Sequence, residues 1–228
     1  MALAPGTPRI SVNKLGEYLS GVGPGRRHRI LHDAKYPPDF IRPIYRTATE
    51  VISAFIAGGM TDFASLERAM EALGGESPNT VWDQRRINSN IDALETFGNM
   101  IDAIDLRGAV PELGPHRAAH LVRNGVSVSV RPEVILRGVQ RGRPIVGALK
   151  LHFPKQNPLG ERASGYVSAA LGAHLQETQE HPVAPALCAV VDVSSGQFFI
   201  GPTATSQRIR QVGEACTEIA GRWSSIQP

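Results

Sequence analysis

Residues 124–153 read NGVSVSVRPEVILRGVQRGRPIVGALKLHF. Asn124-Gly125 is a hairpin-turn pair, because both residue types tolerate the positive φ that a two-residue turn demands. A strict alternation follows. Val126, Val128, Val130, Pro132, Val134 and Leu136 fall on one side of an extended chain. Ser127, Ser129, Arg131, Glu133 and Arg137 fall on the other, with Ile135 the one apolar exception. A period of two sustained this long predicts a strand over 126–137 with one buried face. Pro132 removes a ladder donor, so an edge position or a bulge near Glu133 is expected. Residues 138–143 form a turn into a further strand, 144–153. There Ile145, Gly147, Leu149, Leu151 and Phe153 share one face, and Val146, Ala148, Lys150 and His152 the other.

Outward from this pair, residues 117–123 read as another strand and 154–160 as a loop. Residues 161–179 are helical, with Ala163, Tyr166, Val167, Ala170 and Leu171 inward. The apolar run 187–193 is short enough for a buried strand, and Ser194-Ser195-Gly196 turns into 197–200. Ser206 caps a last helix with Ile209, Val212, Cys216, Ile219 and Trp223 on its stripe. Upstream of Gly108 the chain is mainly helical, over 44–57, 63–73 and 82–106. Near the start, Ser11 caps a helix carrying Leu15, Tyr18 and Leu19, and Gly21 to Gly25 end it. Residues 1–10 read as a loose tail, and Pro37 and Pro38 as a break. The expectation is a mixed α/β chain. A helical N-terminal region, 1–80, precedes an α/β core, 81–228, with a mixed central sheet and helices on both sides.

The bulk composition agrees with a packed core, at 42% hydrophobic and 20% charged residues. The formal charge of +3 does not by itself imply a nucleic-acid partner. Lysine occurs only at Lys14, Lys35, Lys150 and Lys155, and the other basic residues are arginine. Arginine suits phosphate through its two-pronged donor geometry, although a GC-rich genome gives the same bias. Cys188 and Cys216 lie in apolar segments outside any CxxC or Cys/His cluster, so structural zinc and iron–sulfur sites are not expected. Buried free thiols in a reducing cytoplasm are expected instead. No secretory signal and no membrane-spanning apolar stretch are apparent.

Glu133 and Lys150 are the pair with chemical interest. Strands lie about 4.8 Å apart, so in the right register the two side chains share one patch. A carboxylate there can hold a hard cation, and a lysine beside it can polarise water or neutralise charge on phosphate. A cross-strand salt bridge on a solvated face accounts for the same pattern. Arg26, Arg27, His28 and Arg29 are either a phosphate-binding cluster or a solvated loop. No P-loop, GxGxxG or GxSxG is present.

The order helix, three strands, helix, strand, helix, together with Arg131-Pro132-Glu133 and Gly147-Ala148-Leu149-Lys150, resembles the PD-(D/E)xK nuclease superfamily. The opening Ile10-Ser11, Leu15, Tyr18-Leu19 and Arg26-Arg27 resemble its RecB-type and CRISPR-associated exonuclease branch, without the cysteine that often follows. The resemblance covers mainly residues 85–200. It implies a restriction-endonuclease-like core, DNA as partner and Mg²⁺ or Mn²⁺ as cofactor if the site is active, while the expected cytoplasmic location follows from the cysteines and the lack of a signal. It makes Glu133 a metal ligand, the Leu149 carbonyl a second and Lys150 the catalytic lysine. Ala148 stands where the family has an acid. Glu95 on the preceding helix is the first candidate to replace it, then Asp92 and Glu161. Arg131, Arg137 and His152 are candidate nucleic-acid contacts, with Arg141 and Arg143 nearby. Three functions stay open: a metal-dependent deoxyribonuclease, an inactive relative that binds DNA or a protein, and an unrelated protein whose Glu133–Lys150 pair is structural.

Overall fold

Turns and breakers decide where the elements of this chain end. The computed structural model describes residues 6–37, 44–202 and 204–228. In order they form β1 (Arg9–Ser11), α1 (Val12–Leu19), α2 (Pro24–Lys35), α3 (Arg46–Ala57), α4 (Phe63–Gly74) and α5 (Val81–Met100). Then come β2 (Val110–Leu113), β3 (Leu121–Arg123), β4 (Val126–Ser129), β5 (Val134–Gln140) and β6 (Arg143–His152). The chain closes with α6 (Gly160–Thr178), β7 (Val183–Asp192), β8 (Gln197–Phe199) and α7 (Ser206–Trp223). The protein is thus mixed α/β, with a five-stranded sheet ordered β2-β5-β6-β7-β8 and a small sheet ordered β1-β4-β3. In the larger sheet β6 and β7 run parallel, and the other neighbours are antiparallel.

Helices cover both faces of the larger sheet. On one side Ile135, Val146, Ala148 and Val190 pack with α1, α2, α6 and α7. On the other, Val134, Leu136, Leu149 and Leu151 pack with α3, α4 and α5. Each large aliphatic side chain buried in this way contributes about 1.5–3 kcal/mol. A glycine sets the approach of α1 to α6. A Cβ at Gly16 would lie 2.6 Å from Val167 Cγ2 and 2.8 Å from the Ala163 carbonyl oxygen. Among the described residues, no helix is long and apolar enough to cross a membrane.

Four expectations need correction. The predicted strand 126–137 is two strands in two sheets. The Asn124-Gly125 turn has φ of 45° and 80° and joins β3 to β4, but β4 ends at Ser129 and β5 starts only at Val134. Pro132, which has no amide hydrogen, sits in the crossover. The break also moves the apolar face. Val126, Val128 and Val130 enter the α1–α6 core, whereas Val134 and Leu136 enter the α3–α5 core. Ile135 is therefore no exception, because β5 is buried on both sides. Glu133 lies just outside the ladder and donates its amide to the Leu149 carbonyl, 3.1 Å away. Val134 also faces Leu149, so two residues oppose one, as in a β-bulge.

The second correction concerns the tail. Residues 1–5 lie outside the described residues, but Arg9 to Ser11 pair in parallel with Ser127 to Ser129. Third, the Arg26–Arg29 cluster is helical rather than a loop. Pro24 occupies the first turn of α2, where its missing amide hydrogen costs nothing. Fourth, β2 joins the larger sheet where no strand was expected. Of the predicted Pro37–Pro38 break, Pro38 lies outside the described residues.

Candidate functional site

The β5–β6 ladder brings Glu133 and Lys150 together at the end where β6 outruns its partner. Lys150 Nζ lies 2.6 Å from Glu133 Oε1 and donates also to the Arg131 carbonyl at 2.7 Å. Glu133 Oε2 accepts the Leu151 amide at 2.8 Å. The two side chains are only 10% and 12% exposed. The carboxylate therefore completes the edge of β6 that the departing β4–β5 chain leaves open. Asn13, in the first turn of α1, caps the other polar backbone group of the same residue, its Nδ2 donating to the Leu151 carbonyl at 3.0 Å.

His152 shares the Lys150 face but is 3% exposed. Its Nε2 lies 2.8 Å from the Asn157 carbonyl, and its Nδ1 lies 3.3 Å from Asn13 Nδ2. A carbonyl only accepts, so Nε2 carries the proton and Nδ1 accepts from Asn13. Burial, above all, holds the His152 pKa below the ordinary histidine value, which keeps the ring neutral. With both nitrogens engaged, His152 offers no contact to phosphate.

The remaining candidates are dispersed. Glu95 is exposed on α5 and lines a cavity with Phe63, Glu67 and Met70, on the α3–α5 side. Asp92 pairs with Lys155 at 2.7 Å, and Glu161 is exposed in the first turn of α6. Arg137 is tied to Glu112 at 3.0 Å. Arg143 is seven residues from Lys150 along β6, about 23 Å at about 3.3 Å per residue. Arg141 and Arg143 therefore sit at the far end of the ladder, outside any patch with Glu133. Only Arg131 stays beside the pair, through its carbonyl.

Two groups near the pair were not singled out from sequence. A cavity of about 280 Å³ beside Glu133 and Arg131 is lined by Glu50 and His116, with Thr49 and Ser53. Glu50 pairs with Arg46 at 2.9 Å, and its helix had been read only for its apolar stripe. On the opposite side, Asn13 is followed by Lys14, which faces a separate, larger cleft with Arg9 and Arg26.

The donor set does not fit a divalent cation. Such an ion takes several oxygen ligands, and at least one or two carboxylates are needed to hold Mg²⁺. Glu133 is one carboxylate, and both of its oxygens already accept hydrogen bonds. The Leu149 carbonyl accepts from the Glu133 amide. Ala148 is fully buried between Ile135 and Cys188. Among the described residues no three His, Cys, Asp or Glu side chains converge to hold an ion. No protein-family model matches the sequence, and no curated protein gives a significant match.

Proposed function

We propose that this chain is a nuclease-like DNA-binding module that keeps a restriction-endonuclease-like core without a working metal-dependent cleavage site. The element order supports the first half of that reading. Helix α5 leads to β2, β5 and β6, then α6 and the parallel strand β7, with the small β3–β4 hairpin set between β2 and β5. Glu133, just before β5, and Lys150 on β6 lie side by side, which is compatible with the roles that the PD-(D/E)xK resemblance gives them.

One observation carries the second half. The Glu133 carboxylate is enclosed by the Lys150 ammonium and the Leu151 amide, and the neighbouring family acid is replaced by the buried Ala148. The pair thus holds the crossover against the edge of β6, which is a structural task.

DNA as the partner is supported by where the positive charge lies. Residues 9–37 contain six Lys or Arg against two acids, whereas the rest of the chain contains eighteen against nineteen. This basic stretch forms β1, α1 and α2, and Asn13 joins it to the β6 end that carries Lys150. Binding of this kind releases counterions and falls steeply with salt.

The test is fluorescence anisotropy with labelled single- and double-stranded DNA between about 50 and 200 mM salt, where phosphate-led binding loses orders of magnitude in affinity. A parallel cleavage assay with Mg²⁺ and Mn²⁺ completes it. Salt-sensitive binding without metal-dependent cutting is expected. Cutting that Glu133→Gln abolishes would restore the nuclease. Absence of binding at low salt would remove DNA as the partner.

A further inference from the structure

A cleft of about 490 Å³ lies between α2 and the small sheet. Its volume falls within the range of small-ligand pockets. We propose that this cleft takes one nucleotide unit of a single DNA strand, phosphate toward Arg9, Lys14 and Arg26, and base along Ile10, Ile30 and Pro37. The inference rests on the DNA-binding reading above and adds to it the place and the form of the contact.

The chemistry of the walls supports that occupant. Arg9, Lys14 and Arg26 line the cleft against one lining acid, Asp33. Glu17 does not line it, but fixes two of the cations: Lys14 Nζ lies 2.8 Å from Oε2 and Arg26 Nη2 lies 2.5 Å from Oε1. Glu17 is 7% exposed, so these cations are held in place by a buried acid. Such a clamp lowers the entropy of ordering long side chains around a phosphate. It also offsets part of their charge, so among the described residues Arg9 is the lining cation that no carboxylate pairs with. Among the described residues, the Arg9 Nε–H donates to the Ala34 carbonyl, at 3.4 Å.

The floor supplies hydroxyls. Ser127 and Ser129 of β4 and Ser11 of β1 line the same space. Ser127 Oγ lies 2.6 Å from His120 Nδ1, while Ser11 Oγ accepts the Lys14 amide at 3.4 Å. Ala34 and Pro37 add apolar surface, backed by the buried Ile10 and Ile30. A space that is basic on one side and apolar on the other matches a phosphate joined to a base, with the cations on the phosphate and apolar contact on the base. A duplex would first have to unpair and flip a base out of its stack to fill this cleft, whereas a single strand offers its bases without that cost, so a single strand is the occupant we assign. The outward residues of α2, His28 and Arg29, are exposed and extend the positive surface beyond the cleft.

The closing experiment compares two charge reversals of equal size on the full chain. Arg9→Glu alters the cleft, and Arg143→Glu alters the distant β5–β6 turn, where the exposed Arg143 faces Gln140. Anisotropy is read with a labelled single-stranded oligonucleotide, with a nucleoside 5′-monophosphate as competitor. Arg9→Gln serves as a milder variant, and thermal unfolding shows that each variant is folded. Arg9→Glu is expected to weaken binding about tenfold or more, the effect of one charge-assisted contact of about 1.5 kcal/mol. Arg143→Glu is expected to change it much less, and the monophosphate to compete. Equal losses from both reversals, or no competition, would overturn the cleft while leaving DNA binding intact. Failure of the wild-type chain to bind any DNA at low salt would instead overturn the reading beneath it. Tighter binding of duplex than of single strand would overturn the assignment of the strand.

Discussion

Glu133 and Lys150 lie seventeen residues apart in sequence and form a 2.6 Å ion pair that is about nine-tenths enclosed. The same two side chains also satisfy the Leu151 amide and the Arg131 carbonyl. A pair in this position is costly to break from one side, because the surviving charge loses its partner without regaining water. Glu133→Ala and Lys150→Ala are each expected to destabilise the protein by about 3 kcal/mol. The double variant is expected to lose less than the sum of the two. Chemical denaturation of the four proteins gives the cycle. Single variants within about 0.5 kcal/mol of wild type, the range of an exposed pair, would show that the enclosure contributes nothing.

Ala148 gives the second prediction. A relic of a nuclease would be expected to accept the lost acid back at this position. Ala148 instead lies fully buried in the apolar layer with Ile135, Val146 and Val190. Ala148→Glu would place a carboxylate there among apolar side chains and the weakly donating Cys188 thiol. Loss of about 3 kcal/mol or more is expected, together with no gain of DNA cleavage in Mg²⁺ or Mn²⁺. A variant that melts near the wild-type temperature and cuts DNA would show that the acid reaches Glu133 after all.

The two thiols give a third. Cys188 is buried on β7 and Cys216 on α7. Burial pushes the Cys188 thiol up to about 12 and the Cys216 thiol up to about 11. The thiolate is the reactive form. Neither cysteine is therefore expected to react with an aromatic disulfide reagent in native buffer at neutral pH, and both are expected to react in denaturant. Fast release of chromophore from the native protein would contradict the packing of whichever residue mass spectrometry then identified.

These features differ in how legible they were in the sequence. The hairpin at Asn124-Gly125, the strand over 144–153 and the helices ending at Gly58 and Gly74 were readable because local rules decide them. The Glu133–Lys150 contact was readable because a short turn fixes the register. The split at Pro132 was not, since alternation runs unbroken from Val126 to Val134 and only tertiary packing assigns its two halves to different cores. Helix α2 was missed because Gly23-Pro24-Gly25 reads as a break, although a proline is well placed in a helix's first turn. Strand β1 is three residues long and depends wholly on Ser127 to Ser129 for its partner. The basic cleft joins β1, α1, α2 and β4, so no single window of sequence displayed it.

The fourth prediction is an acid limit on stability set by histidines. His152 is 3% exposed on β6, and His174 is 3% exposed on α6. For each, burial is the main cause that holds the pKa below the ordinary 6.5, against upward pulls from the Asn157 carbonyl and then Asp192 on His152, and from Glu177 on His174. The folded protein thus favours the neutral rings, while the unfolded chain takes up protons at the ordinary value. As pH falls below that value the unfolded state binds more protons than the folded one, so stability must fall. The contribution is complete above the unfolded pKa and is lost as pH falls through the lower, folded values. Thermal unfolding followed from about pH 8 to about pH 5, the interval in which histidine titrates, is expected to show a midpoint that declines on the acid side. His174→Gln is expected to flatten that decline, because it removes one of the two groups while leaving the Asn13–His152–Asn157 contacts untouched. A midpoint that stays level down to about pH 5, or a His174→Gln slope equal to that of wild type, would mean that the buried rings are not what acid attacks first.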